Sequence, residues 1–222
     1  MGKNGMEDNL FVLGERNSIA NVFLSELRDA VLQKDRMRFR KNMERLGELL
    51  AYEVSKQLAF ESKIVKTPLG ELPIQVLKEY PLLITILRAG IPFYQGFLNI
   101  FDRSDSGFIG AYRNENGRTV TVNVDYLSVP TVHGKVIVLI DPMLATGRSI
   151  LDAQRLLLAK GTPSRLFVVS VVAAPEGIRL LKENLTLPFS LWTCAVDERL
   201  DSSFYIVPGL GDAGDLSFGI KH

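Results

Sequence analysis

The apolar positions of this chain follow two different periods, and the switch between them outlines the architecture. Within residues 17–62, Met43, Leu46, Leu50, Val54 and Leu58 recur at helical spacing with charged residues between them, which predicts a helical amino-terminal part. Ahead of it, residues 1–16 read as a loose leader. From Leu82 onward the pattern changes. Leu82–Leu87, Val136–Ile140, residues 166–174 and Phe189–Val196 are short runs without a polar face. Helices are expected after the first three: from about Pro92, from Ser149 to Lys160 with a stop at Gly161, and from Pro175. Strands that are apolar on both sides and separated by helices imply an α/β fold, a parallel sheet covered on both faces with right-handed crossovers. One stretch differs. Val120, Val122, Val124 and Tyr126 alternate with Thr119, Thr121, Asn123 and Asp125, behind the turn residues Asn114-Glu115-Asn116-Gly117. This predicts a two-faced hairpin over residues 108–126 that could act as a flap.

Composition narrows the function classes. With 222 residues, 46% hydrophobic and 23% charged, the chain can bury one sizeable core, so a single domain over 17–222 is expected. A net charge of +1 does not point to duplex DNA or another polyanion as the main partner. The basic run Arg36, Arg38, Arg40, Lys41 and Arg45 reads as a solvated helix face in preference to an RNA surface. Cys194 is the one cysteine, so no internal disulfide forms. It sits in an apolar run, which favours a small buried hydrophobe over a catalytic thiol. His133 and His222 make no metal-ligand cluster. The polar start of the chain lacks the apolar core of a signal peptide, and Met6 stands where a myristoylation signal wants Ser or Thr. No apolar run reaches membrane-spanning length, so a cytoplasmic enzyme is the expectation.

Ligands of parallel sheets sit at the carboxyl ends of the strands, and the unusual segments of this sequence fall there. Asp141-Pro142-Met143-Leu144-Ala145-Thr146-Gly147-Arg148-Ser149 leaves one apolar run and enters a helix. Small residues, hydroxyls and the unpaired N–H groups of a helix start can hold a phosphate, and Asp141 can accept from sugar hydroxyls. The plainer alternative is an Asp and a Thr capping a helix. A Walker loop is excluded, because the Gly-Lys-Ser/Thr ending is missing. Arg88, in Ile86-Leu87-Arg88-Ala89-Gly90-Ile91-Pro92, follows another strand, and a guanidinium suits phosphate oxygens. Arg113 follows the first arm of the hairpin. Residues 209–214 match G-x-G-x-x-G by letter, but only eight residues follow Gly214, so no dinucleotide-binding unit can be built on them.

An acidic residue and Thr-Gly-x-Ser after a buried strand resemble the ribose-5-phosphate loop of type I phosphoribosyltransferases. The wording Asp-Pro-Met-Leu-Ala-Thr-Gly resembles the uracil phosphoribosyltransferases in particular. Arg148 stands where that family usually has a second glycine; the related pyrimidine-operon regulators can carry Thr-Gly-Arg-Thr. Leu87-Arg88-Ala89-Gly90 resembles the family's pyrophosphate loop, often held with a non-proline cis peptide, and the same is expected between Leu87 and Gly90. Arg113 resembles the flap arginine. Tyr205-Ile206-Val207-Pro208-Gly209-Leu210-Gly211-Asp212-Ala213-Gly214-Asp215 resembles the uracil-binding signature, and Thr67-Pro68-Leu69-Gly70, Ala173-Ala174-Pro175-Glu176-Gly177 and Phe218-Gly219 match as well. The likeness covers most of residues 20–220.

The resemblance implies a type I phosphoribosyltransferase-like sheet flanked by helices, with a flap, a helical amino-terminal extension and a base-binding loop within residues 200–222. It implies transfer of the ribose phosphate of 5-phosphoribosyl 1-diphosphate to uracil, giving UMP and diphosphate. Residues 141–149, Arg88, Arg113 and Asp212 would bind the donor. Ile206, Gly211, Asp212 and Ala213 would bind uracil, and Asp212, Arg113 and Arg88 would act in catalysis. Mg²⁺ would arrive mainly on the diphosphate. GTP is a candidate activator, as in some relatives, and a homo-oligomer is expected. Two alternatives share the fold: an RNA-binding pyrimidine-operon regulator, suggested by residues 36–45 and Arg148, and a phosphoribosyl-binding homologue without activity.

Overall fold

The computed structural model of the chain describes residues 9–116 and 119–220, and the side chains of these except 111–125. In chain order the elements are β1 (Leu10–Val12), α1 (Ile19–Arg28), α2 (Arg36–Ser55), β2 (Phe60–Thr67), β3 (Gly70–Leu77), β4 (Leu82–Leu87), α3 (Ile91–Ile100), β5 (Ser106–Asn116) and β6 (Thr119–Ser128). There follow β7 (Val136–Ile140), β8 (Met143–Leu144), α4 (Arg148–Leu158), β9 (Arg165–Ala173), α5 (Pro175–Asn184), β10 (Phe189–Val196), β11 (Arg199–Leu200), β12 (Ile206–Val207) and α6 (Ala213–Phe218).

The main sheet runs β1-β10-β9-β7-β4-β5-β6, with β8 also paired to β9. Its neighbours are parallel except for β5 and β6, which form the expected hairpin, although Asn114, Glu115 and Asn116, read as turn residues, continue β5 and pair with Thr121, Val120 and Thr119. The central strands are buried on both sides because their apolar residues alternate between two cores. Val138 and Ile140 of β7 join Phe167, Val169 and Val171 of β9 against α2 and α3. Ile137 and Leu139 join Leu166 and Val168 on the opposite face, against α4. Each fully buried Phe, Leu, Ile or Val here contributes about 1.5–3 kcal/mol relative to an exposed position. No helix among the described residues is long and apolar enough to cross a membrane.

Two readings of the amino-terminal third need correction. Residues 10–12 are not loose leader but the edge strand β1, with Leu10 opposite Leu191 and Val12 opposite Thr193. Phe11 stacks on Trp192 at 4.5 Å between ring centroids, so burial of a short apolar run overrides the polar context around it. The segment 17–62 is not helical throughout. Ser18 caps α1 and Asp35 caps α2, splitting the region in two, and the helical period ends with α2 at Ser55. Met43, Leu46, Leu50 and Val54 are fully buried as the spacing predicts, whereas Leu58 lies beyond the helix. From Phe60 the chain forms the two-stranded antiparallel ribbon β2–β3, closed at Thr67 opposite Gly70.

The basic run on α2 is a solvated face, with Arg36, Arg38 and Lys41 exposed, but several of its charges are paired. Arg38 pairs with Glu26 of α1 at 3.2 Å, and Lys41 with Glu44 at 2.9 Å. Arg45 donates to Asn42 Oδ1 and lies 5.0 Å over the Phe23 ring. Arg40 donates to the Ser217 carbonyl at 2.8 Å, tying α6 to α2. Arg38 and Arg40 thus tie α2 to α1 and α6, while the Lys41–Glu44 and Arg45–Asn42 contacts lie within α2.

Candidate active site

Parallel pairing places the carboxyl ends of β4, β7, β9 and β10 side by side. Arg88 follows β4 and Asp141 follows its neighbour β7. Thr85 Oγ1 donates to the Ile140 carbonyl at 3.3 Å and so stitches the two ends together. The turn after β4 carries a cis peptide at Leu87–Arg88, within the expected span. Its Gly90 packs directly over both strands: a β-carbon there would lie 2.7 Å from the Ile86 carbonyl oxygen and 3.3 Å from that of Ile140.

The segment 141–149 divides into two halves. In the first, Asp141 N–H donates to the Val169 carbonyl, and Val171 and Val172 N–H donate to that of Pro142. Met143 and Leu144 continue as β8. Leu144 and Ala145 are buried in the cores, and their backbone is tied down as well: the Leu144 carbonyl accepts from Ala174 N–H at 2.8 Å and Ala145 N–H donates to the Met143 carbonyl at 3.1 Å. The second half is the turn into α4. Gly147 sits at its N-cap with φ of +81°, a left-handed conformation that favours glycine. Gly147 has no side chain to cap this helix, and of the helix's first N–H groups that of Arg148 donates to Thr146 Oγ1 at 3.4 Å. Its first N–H groups and the positive end of its dipole are therefore the kind of surface an anion requires. Thr146 and Ser149 flank the turn half-buried, and Arg148 is exposed. Beneath it, α5 presents Gly177 to the Ala145 carbonyl in close contact. Glu176, one residue earlier, accepts from Leu200 N–H at 3.1 Å. That bond and the one from its own N–H hold its carboxyl below the ordinary range.

The carboxyl-terminal segment comes down on the Arg88 turn. Ile206 is buried in β12, and the Val207–Pro208 peptide is cis. Gly209 and Gly211 have φ of +59° and +87°, so the chain here shows its backbone and little else. Ala213 is buried; Asp212 is exposed, and its carboxylate caps α6 by accepting from Asp215 N–H at 2.9 Å. Arg88 Nη2 donates to Asp215 Oδ1 at 3.0 Å and to the Gly219 carbonyl at 2.6 Å. A β-carbon at Gly214 would stand 3.8 Å from Ala89 Cβ and 3.9 Å from Arg88 Nε. The Arg88 turn thus touches the glycine-rich carboxyl-terminal segment and abuts the strand that leads into Asp141. Arg113 lies opposite Val122 in the β5–β6 ribbon, but its side chain falls outside the described residues.

Asp215, Arg28 and Asp197 escaped the sequence reading. Asp197 carried a usable signal, since it follows the apolar run of β10 as Asp141 follows that of β7. Arg28 at the end of α1 forms a two-pronged pair with it, Nη2 to Oδ1 at 2.6 Å and Nη1 to Oδ2 at 2.9 Å. Both residues also bond the backbone of Gly209. Cys194 is buried, as expected for a small hydrophobe, and desolvation pushes its thiol far above the usual range. Among the described residues no three His, Cys, Asp or Glu side chains converge as a metal site would require.

Comparison with known proteins gives the same picture over nearly the whole chain. A family profile described as uracil phosphoribosyltransferase matches residues 15–220. The chain is 42% identical over 210 residues to a uracil phosphoribosyltransferase of Porphyromonas gingivalis, covering 94% of this chain and 97% of that protein. It is 36% identical over 199 residues to one of Pyrococcus furiosus, covering 88% and 84%. The solved structure of a protein from Aquifex aeolicus superimposes with a TM-score of 0.84 at 33% identity, over 95% of this chain and 98% of that one. Strand order, a glycine-opened turn into α4 and a backbone-rich carboxyl-terminal loop accordingly accompany a match over residues 15–220, and the chain belongs to the uracil phosphoribosyltransferase family.

Proposed function

We propose that the chain joins uracil to the ribose phosphate of 5-phosphoribosyl 1-diphosphate, as a cytoplasmic homo-oligomer. Uracil N1 forms a bond to C1′ while the bond from C1′ to the diphosphate oxygen breaks. The N1 proton is released, and UMP and diphosphate leave. The observation that carries this reading is the bridge from Arg88 to Asp215 at 3.0 Å, which joins the diphosphate-side turn to the base-side loop.

Each role follows from local chemistry. The glycine-opened start of α4, at Thr146 to Ser149, anchors the 5′-phosphate, and Asp141 accepts from the ribose hydroxyls. Arg88 Nη2 is fixed by Asp215 and Gly219, and the guanidinium held this way would meet a diphosphate oxygen. Arg113 would approach the same diphosphate from the flap, whose closure excludes water from a reactive donor. Uracil offers two carbonyl acceptors and an N3–H donor, which the backbone of 206–213 can match. Cytosine's exocyclic amine would meet a donor there. Asp212 orients uracil or takes its N1 proton. Charge developing at C1′ and on the departing diphosphate is stabilised by fixed groups, with no covalent enzyme intermediate. Mg²⁺ enters on the diphosphate as part of the donor substrate and shields its charge. GTP is carried as a candidate activator.

The test is product formation from radiolabelled uracil, the donor and Mg²⁺, with cytosine and hypoxanthine as controls. UMP from uracil alone is the expected result. Equal turnover of cytosine would refute the backbone-reading loop, and no product with any base would refute the transferase reading.

A further inference from the structure

The loop assigned to uracil has almost no side chains with which to hold its own shape. Two of its glycines are in left-handed conformations, and its backbone must nevertheless present donors and acceptors within a few tenths of an ångström. Something outside the loop has to fix it. At Gly209 both backbone groups are bonded by the same ion pair. The N–H donates to Asp197 Oδ2 at 2.9 Å, and the carbonyl accepts from Arg28 Nη1 at 2.9 Å. The pair itself is bidentate and sheltered, with the Asp197 side chain 5% and the Arg28 side chain 23% exposed. Asp197 is in turn set on the sheet, its N–H donating to the Ala173 carbonyl at 2.8 Å.

We propose that Arg28 and Asp197 are positioning residues for the base site: a clamp that locks Gly209, and with it the peptide groups of 206–213, in the register that reads uracil. Neither side chain need touch substrate. Arginine is required for the geometry, since one planar fork must reach two carboxylate oxygens and a carbonyl together; a lysine ammonium cannot do so from one position. The inference rests on the transferase reading above. It extends the base site to the end of α1, some 180 residues away in sequence.

The test compares Arg28→Lys and Asp197→Asn with the parent in steady-state kinetics, varying uracil and the donor separately, alongside thermal unfolding. Arg28→Lys keeps the charge and is the variant expected to fold normally. It should raise the KM for uracil about tenfold while the KM for the donor stays within about twofold. The preference for uracil over cytosine should narrow in both variants. Unchanged kinetics in a folded Arg28→Lys protein would overturn the clamp, as would equal rises in both KM values in step with lost stability. An inactive parent would instead sink the transferase reading itself, so the two failures are distinct.

Discussion

Gly177→Ala sets two opposite expectations against each other. Gly177 is the third residue of α5, and in an ordinary helix replacing glycine by alanine stabilises by about 1 kcal/mol. Here the added methyl would face the phosphate turn. It would stand 3.1 Å from the Leu144 carbonyl oxygen and fall about 1 Å inside van der Waals contact with that of Ala145. Overpacking of this kind costs about 1–3 kcal/mol, so the steric effect should outweigh propensity and leave a net loss of about 1 kcal/mol. For a chain of this length that lowers Tm by about 2–4 °C. The relief available is to push residues 144–147 away from α5, and that movement reaches the turn assigned to the 5′-phosphate. A displacement approaching 1 Å can reduce turnover by about 10²-fold. Thermal unfolding and donor-dependent kinetics should therefore show a lower Tm and a donor kcat/KM reduced about tenfold or more. Gly70→Ala is the control: nothing lies within 4 Å of a β-carbon there, and its stability should stay within about 0.5 kcal/mol of the parent. A Gly177→Ala protein more stable than the parent, with unaltered donor kinetics, would refute the reasoning.

Asp212 can be tested with its two jobs separated. Asn is as good an N-cap as Asp, so Asp212→Asn should keep α6 and the parent's Tm yet lower UMP formation by about 10²-fold, with donor KM little changed. Asp212→Ala should lose about 1 kcal/mol as well, and near-normal turnover of either variant removes Asp212 from the mechanism. Cys194 should resist a thiol reagent at about pH 8 in native buffer and react fully in guanidinium. Stoichiometric labelling of the folded protein would contradict its burial. Glu176 has a lowered carboxyl pKa, so the stability it contributes is present above the ordinary carboxylate value of 4.5 and fades as pH falls through the lower folded value. The Tm gap between parent and Glu176→Gln should thus be constant near neutrality and shrink as pH falls below 4.5; a gap independent of pH would be the wrong outcome.

The sheet was legible because its central strands are buried on both sides. Leu82–Leu87, Val136–Ile140 and Phe189–Val196 stand at the expected bounds, and a run that must be apolar on two faces leaves little room for error. The glycine turn into α4 was legible for a related reason: small residues stand where a strand meets a helix. Local pattern served less well in the amino-terminal third. Leu10–Val12 is only three residues long and is a strand because β10 offers an open edge, which no local period reveals. The ribbon β2–β3 is mostly exposed, so its alternation carries little burial signal. The pairing of Arg28 with Asp197 was invisible for a third reason: the contact spans 169 residues, and although Asp197 stands at a strand end, Arg28 alone looks like a surface charge.

The most direct measurement is a crystal structure of the chain with UMP bound. Convergence of the strand-end loops on one anomeric carbon requires the 5′-phosphate on the N–H groups of residues 146–149 and the pyrimidine edge against 206–213 in the same molecule of UMP, with Arg88 facing the diphosphate side of C1′. A phosphate held elsewhere, or a base pointing away from the 206–213 backbone, would contradict the account.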